Sequence, residues 1–132
     1  MATQLHNQTD SQGRKQGYWE ETDGWGHTEF GYTEKGHYVD GLRQGLWKNY
    51  YKDGTLMGEE HYLNGELHGL WKSYHDDGAT LWGEGHYLNG EQHGLWKSYH
   101  EDGTLESCTL YNMDEELFSS PLLLLLPWLN LI

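Results

Sequence analysis

A chain of 132 residues with 21 acidic and 8 basic side chains, a formal charge of −13, fits one domain and leaves no room for a fused catalytic domain. Its field repels phosphates, which disfavours nucleic acid and anionic lipid headgroups as partners and favours a basic one. Aromatics at 14% alongside two prolines exclude the composition of a disordered chain, and the single cysteine, Cys108, excludes an internal disulfide framework.

The first residues, Met1-Ala2-Thr3-Gln4-Leu5-His6-Asn7-Gln8, carry no apolar stretch of a secretory signal. With one cysteine, a reduced cytoplasm is the simplest compartment. Residues 1–15 are polar and mixed and predict a flexible arm. A degenerate first module follows, from Gly17-Tyr18-Trp19-Glu20 to Gly36-His37-Tyr38-Val39-Asp40-Gly41. Trp19 to Tyr38 spans 19 residues where Trp47 to Tyr62 spans 15, so the four extra residues around Asp23-Gly24-Trp25-Gly26 predict a longer hairpin. Three near-copies come next: Gly45-Leu46-Trp47-Lys48-Asn49-Tyr50, Gly69-Leu70-Trp71-Lys72-Ser73-Tyr74 and Gly94-Leu95-Trp96-Lys97-Ser98-Tyr99. Their tryptophans are spaced by 24 and then 25 residues, the extra one being Ala79, which is expected to be absorbed as a bulge. Repeats of this length stack, because none buries its apolar face alone.

The array is expected over 16–112, with 113–132 set apart as an apolar C-terminal tail. Asn112-Met113-Asp114 stands where Asn-Gly is expected, and a leucine run broken by Pro127 follows. That run is shorter than the about 20 apolar residues of a bilayer span. An apolar cap, a membrane-dipping or partner-docking end, and a truncated or frame-drifted array are its three readings, the last slightly favoured.

Each module holds two sets of turn residues, Asp53-Gly54, Asp77-Gly78 and Asp102-Gly103 in one, Asp40-Gly41, Asn64-Gly65 and Asn89-Gly90 in the other. Such pairs favour type I′ hairpins, and the stretches between them are rich in Trp, Tyr, Leu and Thr. A helical repeat fails, since glycine recurs in every candidate helix at roughly 1 kcal/mol each. The fold class is therefore all-β, an elongated single antiparallel sheet of tandem β-hairpins in about four modules. Counting outward from two-residue loops places Lys48 opposite Glu59, Gly45 opposite Tyr62, His61 opposite His68 and His86 opposite His93. It also places Gly58 opposite Trp71 and Gly83 opposite Trp96, with large rings over glycines. Alternation puts Trp47, Tyr62 and Trp71 on one aromatic face and Leu46, Lys48, Glu59, His61 and Lys72 on the other.

The string Asn-Gly-x-x-His-Gly-x-Trp, intact at 64–71 and 89–96, with the following x-x-Tyr and Asp-Gly, resembles the MORN repeat. The match is good over 41–111 and loose over 16–40, and is nearest the antitoxin-like MORN variant of bacteria and large viruses. The resemblance implies extended antiparallel sheets with interaction, scaffolding or membrane-association roles, usually without catalysis. The strong negative charge departs from MORN arrays tied to acidic lipids.

The leading binding candidates are the aromatic column Trp47, Tyr62, Trp71, Tyr87, Trp96 and Tyr111, since such rings are enriched in hot spots. A single sheet also needs these rings to cover its own backbone. A peptide or partner strand is the natural ligand of the column. Histidines suggest a metal, but a column such as His37, His61, His86 is spaced by roughly 9.5 Å, too far to share an ion. Only the facing pairs His61/His68 and His86/His93 remain, as weak candidates outweighed by a solvent-side column copied with its module. Lys48, Lys72 and Lys97 are expected to pair across strands, with Lys48–Glu59 and Lys72–Glu84 contributing a few tenths to about 1 kcal/mol each. Asp76-Asp77 and Glu101-Asp102 read as solvated turn residues rather than catalytic carboxylates or calcium ligands. No nucleophile elbow, phosphate loop or dinucleotide fingerprint is present. The expectation is a non-enzymatic, cofactor-free interaction or scaffold module; the alternatives are a peripheral membrane module using the leucine-rich tail, and an antitoxin-like component.

Overall fold

The turn chemistry organises the chain. In the computed structural model, which describes residues 6–22 and 32–119, Asp40 and Gly41 take φ of 50° and 81°, Asn64 and Gly65 51° and 85°, and Asn89 and Gly90 51° and 84°. These are the paired positive φ values of a type I′ turn. Met113 and Asp114 adopt the same conformation, at 52° and 66°, with neither glycine nor asparagine to ease it.

The described residues form eleven strands and no helix: β1 Gln8–Thr9, β2 Lys15–Thr22, β3 Tyr32–Val39, β4 Leu42–Tyr51, β5 Leu56–Leu63, β6 Glu66–Leu67, β7 Gly69–Tyr74, β8 Leu81–Leu88, β9 Glu91–Tyr99, β10 Leu105–Asn112 and β11 Glu115–Ser119. They make one antiparallel sheet in chain order, β6 and β7 both lying along β5. This is the expected all-β array of consecutive hairpins. Pairing runs past both ends of the 16–112 segment: β1 lies within the polar arm and pairs with β2, and β11 lies within the tail and pairs with β10. The inserted Asp23–Gly26 stretch and the leucine run beyond Ser119 lie outside the described residues.

The second set of turns corrects the two-residue count. Lys52-Asp53-Gly54 is a three-residue loop, closed by Tyr51 N–H donating to Thr55 O at 2.8 Å and Gly54 N–H to Tyr51 O at 2.9 Å, with Gly54 at φ 89°. A one-residue register shift between Asn49 and Tyr50 cancels the extra loop residue, so Lys48 faces Glu59 and Gly45 faces Tyr62 as counted. Ala79 does not make a strand bulge. It lengthens the next loop to Asp76-Asp77-Gly78-Ala79, between His75 N–H and Thr80 O, which bond at 2.8 Å.

A second correction concerns the tryptophans. Gly58 faces Ser73 and Gly83 faces Ser98, each two residues from the counted partner. Between β3 and β4 the pairs pass from His37↔Gln44 to Lys35↔Lys48, and between β8 and β9 from His86↔His93 to Glu84↔Lys97, so two extra residues bulge at the Gly-Leu-Trp step each time. Gly45, Gly69 and Gly94 make that bulge possible at φ of 73°, 105° and 77°. A slip of two keeps every side chain on its face, and the aromatic face stands.

Successive turns are also linked to one another. Gly41 N–H donates to Lys15 O at 2.9 Å, Gly65 N–H to Arg43 O at 2.9 Å, Gly90 N–H to Leu67 O at 2.8 Å and Asp114 N–H to Gln92 O at 2.9 Å. Each turn thus docks on the residue four before the tryptophan of the preceding module. Burial is sparse, as a single sheet dictates: Tyr38, Trp47 and Cys108 are the buried apolar side chains among the described residues.

Candidate functional site

Rings on one face meet edge to face in an alternating row. Centroids are 5.8 Å apart for Trp19–Tyr38, 5.0 Å for Tyr38–Trp47, 6.3 Å for Trp47–Tyr62, 5.1 Å for Tyr87–Trp96 and 6.2 Å for Trp96–Tyr111, with interplanar angles of 75° to 83°. Each is the T-shaped geometry that ring quadrupoles favour. The row holds because the neighbouring strand carries glycine beneath two of the indoles: a Cβ on Gly36 would lie 2.2 Å from the Trp47 ring, and one on Gly85 2.2 Å from the Trp96 ring. Trp47 Nε1–H donates to His37 O and Trp96 Nε1–H to His86 O, both at 3.2 Å.

The third module breaks the copy. Glu60 stands where its neighbours have Gly36 and Gly85, and a side chain there takes the space an indole would fill. Trp71 instead lies against Trp96, at 5.1 Å and 32°, and over Gly83, whose Cβ would lie 3.4 Å away. Glu60 accepts a hydrogen bond from Tyr62 Oη at 2.7 Å; burial first, and this carboxylate second, push the Tyr62 phenol up to about 12.

The face divides into two halves by what covers the rings. In the N-terminal half, Lys15 Nζ lies 4.6 Å from the Trp19 ring and 4.9 Å from Tyr38, and the Arg43 guanidinium lies 4.1 Å from Trp47 and 5.4 Å from Tyr62. Glu21 pairs with Lys15, Glu34 pairs with Arg43, and Glu21 also reaches Arg43 at 3.3 Å. Burial works against the Arg43 charge, but Glu34 and the Tyr38 and Tyr62 hydroxyls outweigh it and hold the guanidinium firmly protonated. Trp47 is fully buried, 0% exposed, so it packs the sheet and offers no surface to a ligand. In the C-terminal half Trp71, Tyr87, Trp96 and Tyr111 are half-buried and line a cleft of about 300 Å³ together with Gln92. Tyr62, the sixth residue of the predicted column, sits under Arg43 in the covered half.

The opposite face carries a row of charges. Pairing runs Glu20↔Lys35, Lys35↔Lys48, Lys48↔Glu59, Glu59↔Lys72, Lys72↔Glu84 and Glu84↔Lys97, signs alternating except at Lys35/Lys48. Lys48 Nζ reaches Glu59 at 3.4 Å. The facing histidine pairs share this face: His86 and His93 face each other in a shallow groove of about 620 Å³ with Leu70, Glu84, Leu95 and Lys97. His61 Nδ1 is tied to Leu70 O at 2.9 Å, and His68 Nδ1 accepts Asn89 N–H at 3.3 Å. Among the described residues no three His, Cys, Asp or Glu side chains converge on a metal position. The turn aspartates are occupied by their own loops. Asp53 Oδ1 accepts Thr55 N–H at 2.8 Å, and Asp77 Oδ1 accepts Ala79 and Thr80 N–H at 2.9 and 2.8 Å. The Thr80 hydroxyl and these amides bring the Asp77 carboxyl down to about 2. No helix among the described residues is long and apolar enough to cross a membrane, which says nothing of a β-barrel.

The arrangement defines a class, an open single-sheet repeat protein whose surface is a ribbon. The chain matches the MORN repeat variant at residues 43–64, 67–89 and 92–113, just over half its length, and it belongs to the MORN repeat family. No curated protein matches it. MORN repeats commonly serve as interaction or scaffold modules and are generally non-enzymatic.

Proposed function

We propose that this protein is a non-enzymatic interaction or scaffold module that takes an extended, basic segment of a partner protein along the C-terminal half of its aromatic face. The carrying observation is the division of one ring column: Trp47 is sealed under Arg43, while Trp71, Tyr87, Trp96 and Tyr111 line an open cleft. Half-buried aromatic rings anchor interfaces, and a formal charge of −13 favours a basic segment over nucleic acid or an anionic membrane. Cytoplasm suits this role, Cys108 being a buried free thiol. The antitoxin-like reading is the finer form of the same proposal, with a co-encoded toxin as the partner.

Selection of a displayed peptide library on the immobilised protein tests the reading. We expect enrichment of peptides rich in Lys or Arg, and at least about tenfold weaker binding to a Tyr87→Ala variant whose circular dichroism matches wild type. Failure to enrich any peptide, or equal binding to that folded variant, contradicts the proposal.

A further inference from the structure

We propose that Trp96 and Tyr111 form a receiving site for an arginine or lysine side chain of the partner, a site that two earlier modules fill with their own cation. Lys15, Arg43, Leu67 and Gln92 each precede a module tryptophan by four residues. Their equivalence is structural as well, since the carbonyl of each accepts the N–H of the next turn, from Gly41, Gly65, Gly90 and Asp114 at 2.8 to 2.9 Å. In the first two modules this position lays a charge over the tryptophan and the next tyrosine.

The Trp96 site repeats the Tyr–Trp–Tyr row of the Trp47 site, with Trp71 added against Trp96 at 5.1 Å and 32°. Trp47 lies 5.0 Å from Tyr38 at 81° and 6.3 Å from Tyr62 at 75°; Trp96 lies 5.1 Å from Tyr87 at 83° and 6.2 Å from Tyr111 at 81°. Both indoles rest on glycine and both donate to a histidine carbonyl at 3.2 Å. What differs is the cover. Arg43 is replaced by neutral Gln92, and its carboxylates are lost with it: Glu34, opposite Asn49, becomes Gly83, opposite Ser98, and Glu21, opposite Glu34, becomes Ser73, opposite Gly83. Rings arranged to bind a cation by their quadrupoles therefore stand without one, over the open cleft. Asp114, whose Oδ1 accepts Gln92 N–H at 2.7 Å, sets a carboxylate beside the position. At Trp71 the cation is replaced by Leu67 and the ring is displaced by Glu60, so the copy is not kept there.

The inference rests on the interaction reading above, and an internal competitor tests it separately. Acetyl-Gly-Arg-Gly-Arg-Gly-amide is titrated into the protein while the indole N–H resonances are followed by NMR, beside the uncharged citrulline peptide. The Trp96 resonance is expected to move with the arginine peptide, to respond about tenfold more weakly to citrulline, and to stop responding in Gln92→Arg, where the chain supplies its own guanidinium. Equal response to the two peptides, no response at Trp96, or an unchanged titration in folded Gln92→Arg overturns it. Should display-selected peptides bind wild type and Gln92→Arg alike, the interaction reading stands and this site falls. Should no peptide be selected, that reading falls, and the arginine titration still decides the site.

Discussion

Gly36 and Gly85 lie under tryptophan rings that leave no room for a Cβ, which would stand 2.2 Å from the indole in both cases. Gly85→Ala is expected to lower the unfolding free energy by about 1–3 kcal/mol through forced displacement of Trp96, read as a lower urea midpoint. Arg43→Ala removes the cover of Trp47, strands Glu34 and leaves Glu21 paired with Lys15 alone; a loss of about 1–3 kcal/mol is expected by the same measurement. The turn aspartates set the acid limit. The Asp77 carboxyl falls from 3.8 to about 2 through its bonds to Thr80 and Ala79, so its contribution is complete above the ordinary carboxylate range. It fades as pH drops from about 4 through 2, because the unfolded chain then binds the proton first. Thermal melts should therefore show the midpoint falling over that interval. The aromatic column was legible in the sequence because its tryptophans recur in identical strings. The cation four residues ahead was not, since Lys15, Arg43, Leu67 and Gln92 share a spacing but no chemistry; the turn hydrogen bonds show that the position is one and the same.

At the scale of the hairpin, turn residues decide the fold and bulges decide the register. Asp-Gly and Asn-Gly marked six turns, yet one set makes type I′ turns and the other three- or four-residue loops ending in or containing a left-handed glycine. Equal-looking dipeptides diverge because the residue before the glycine takes positive φ at Asp40, Asn64 and Asn89 alone. Lys48↔Glu59 survived the wrong loop length because a bulge cancelled it, whereas Gly58↔Trp71 did not, since the Gly69 bulge adds two residues that no local pattern announces. Met113 holds φ of 52° at a position its neighbours give to Asp or Asn. Met113→Asn should stabilise the last hairpin by about 0.5–1 kcal/mol, measured as a raised urea midpoint with unchanged m. Deleting Ala79 restores a three-residue loop and should shift stability by less than about 1 kcal/mol.

Over the whole sheet, the two faces separate two tasks. One carries the alternating Lys and Glu row, which pairs strand to strand; the other carries rings, closed by Lys15 and Arg43 at one end and open at the other. An array of near-identical modules thereby acquires a direction, with rigid packing under Trp47 and a cleft at Trp71 and Trp96. The direction follows from three substitutions in the copies, Glu60 for glycine and Leu67 and Gln92 for a cation. The most direct test is the NMR footprint of a display-selected basic peptide on the whole chain. The account predicts shifts clustered at Trp71, Tyr87, Trp96 and Tyr111, with Trp19, Tyr38 and Trp47 unmoved. Shifts centred on the Lys48, Lys72 and Lys97 row, or spread evenly over both halves of the aromatic face, would contradict it.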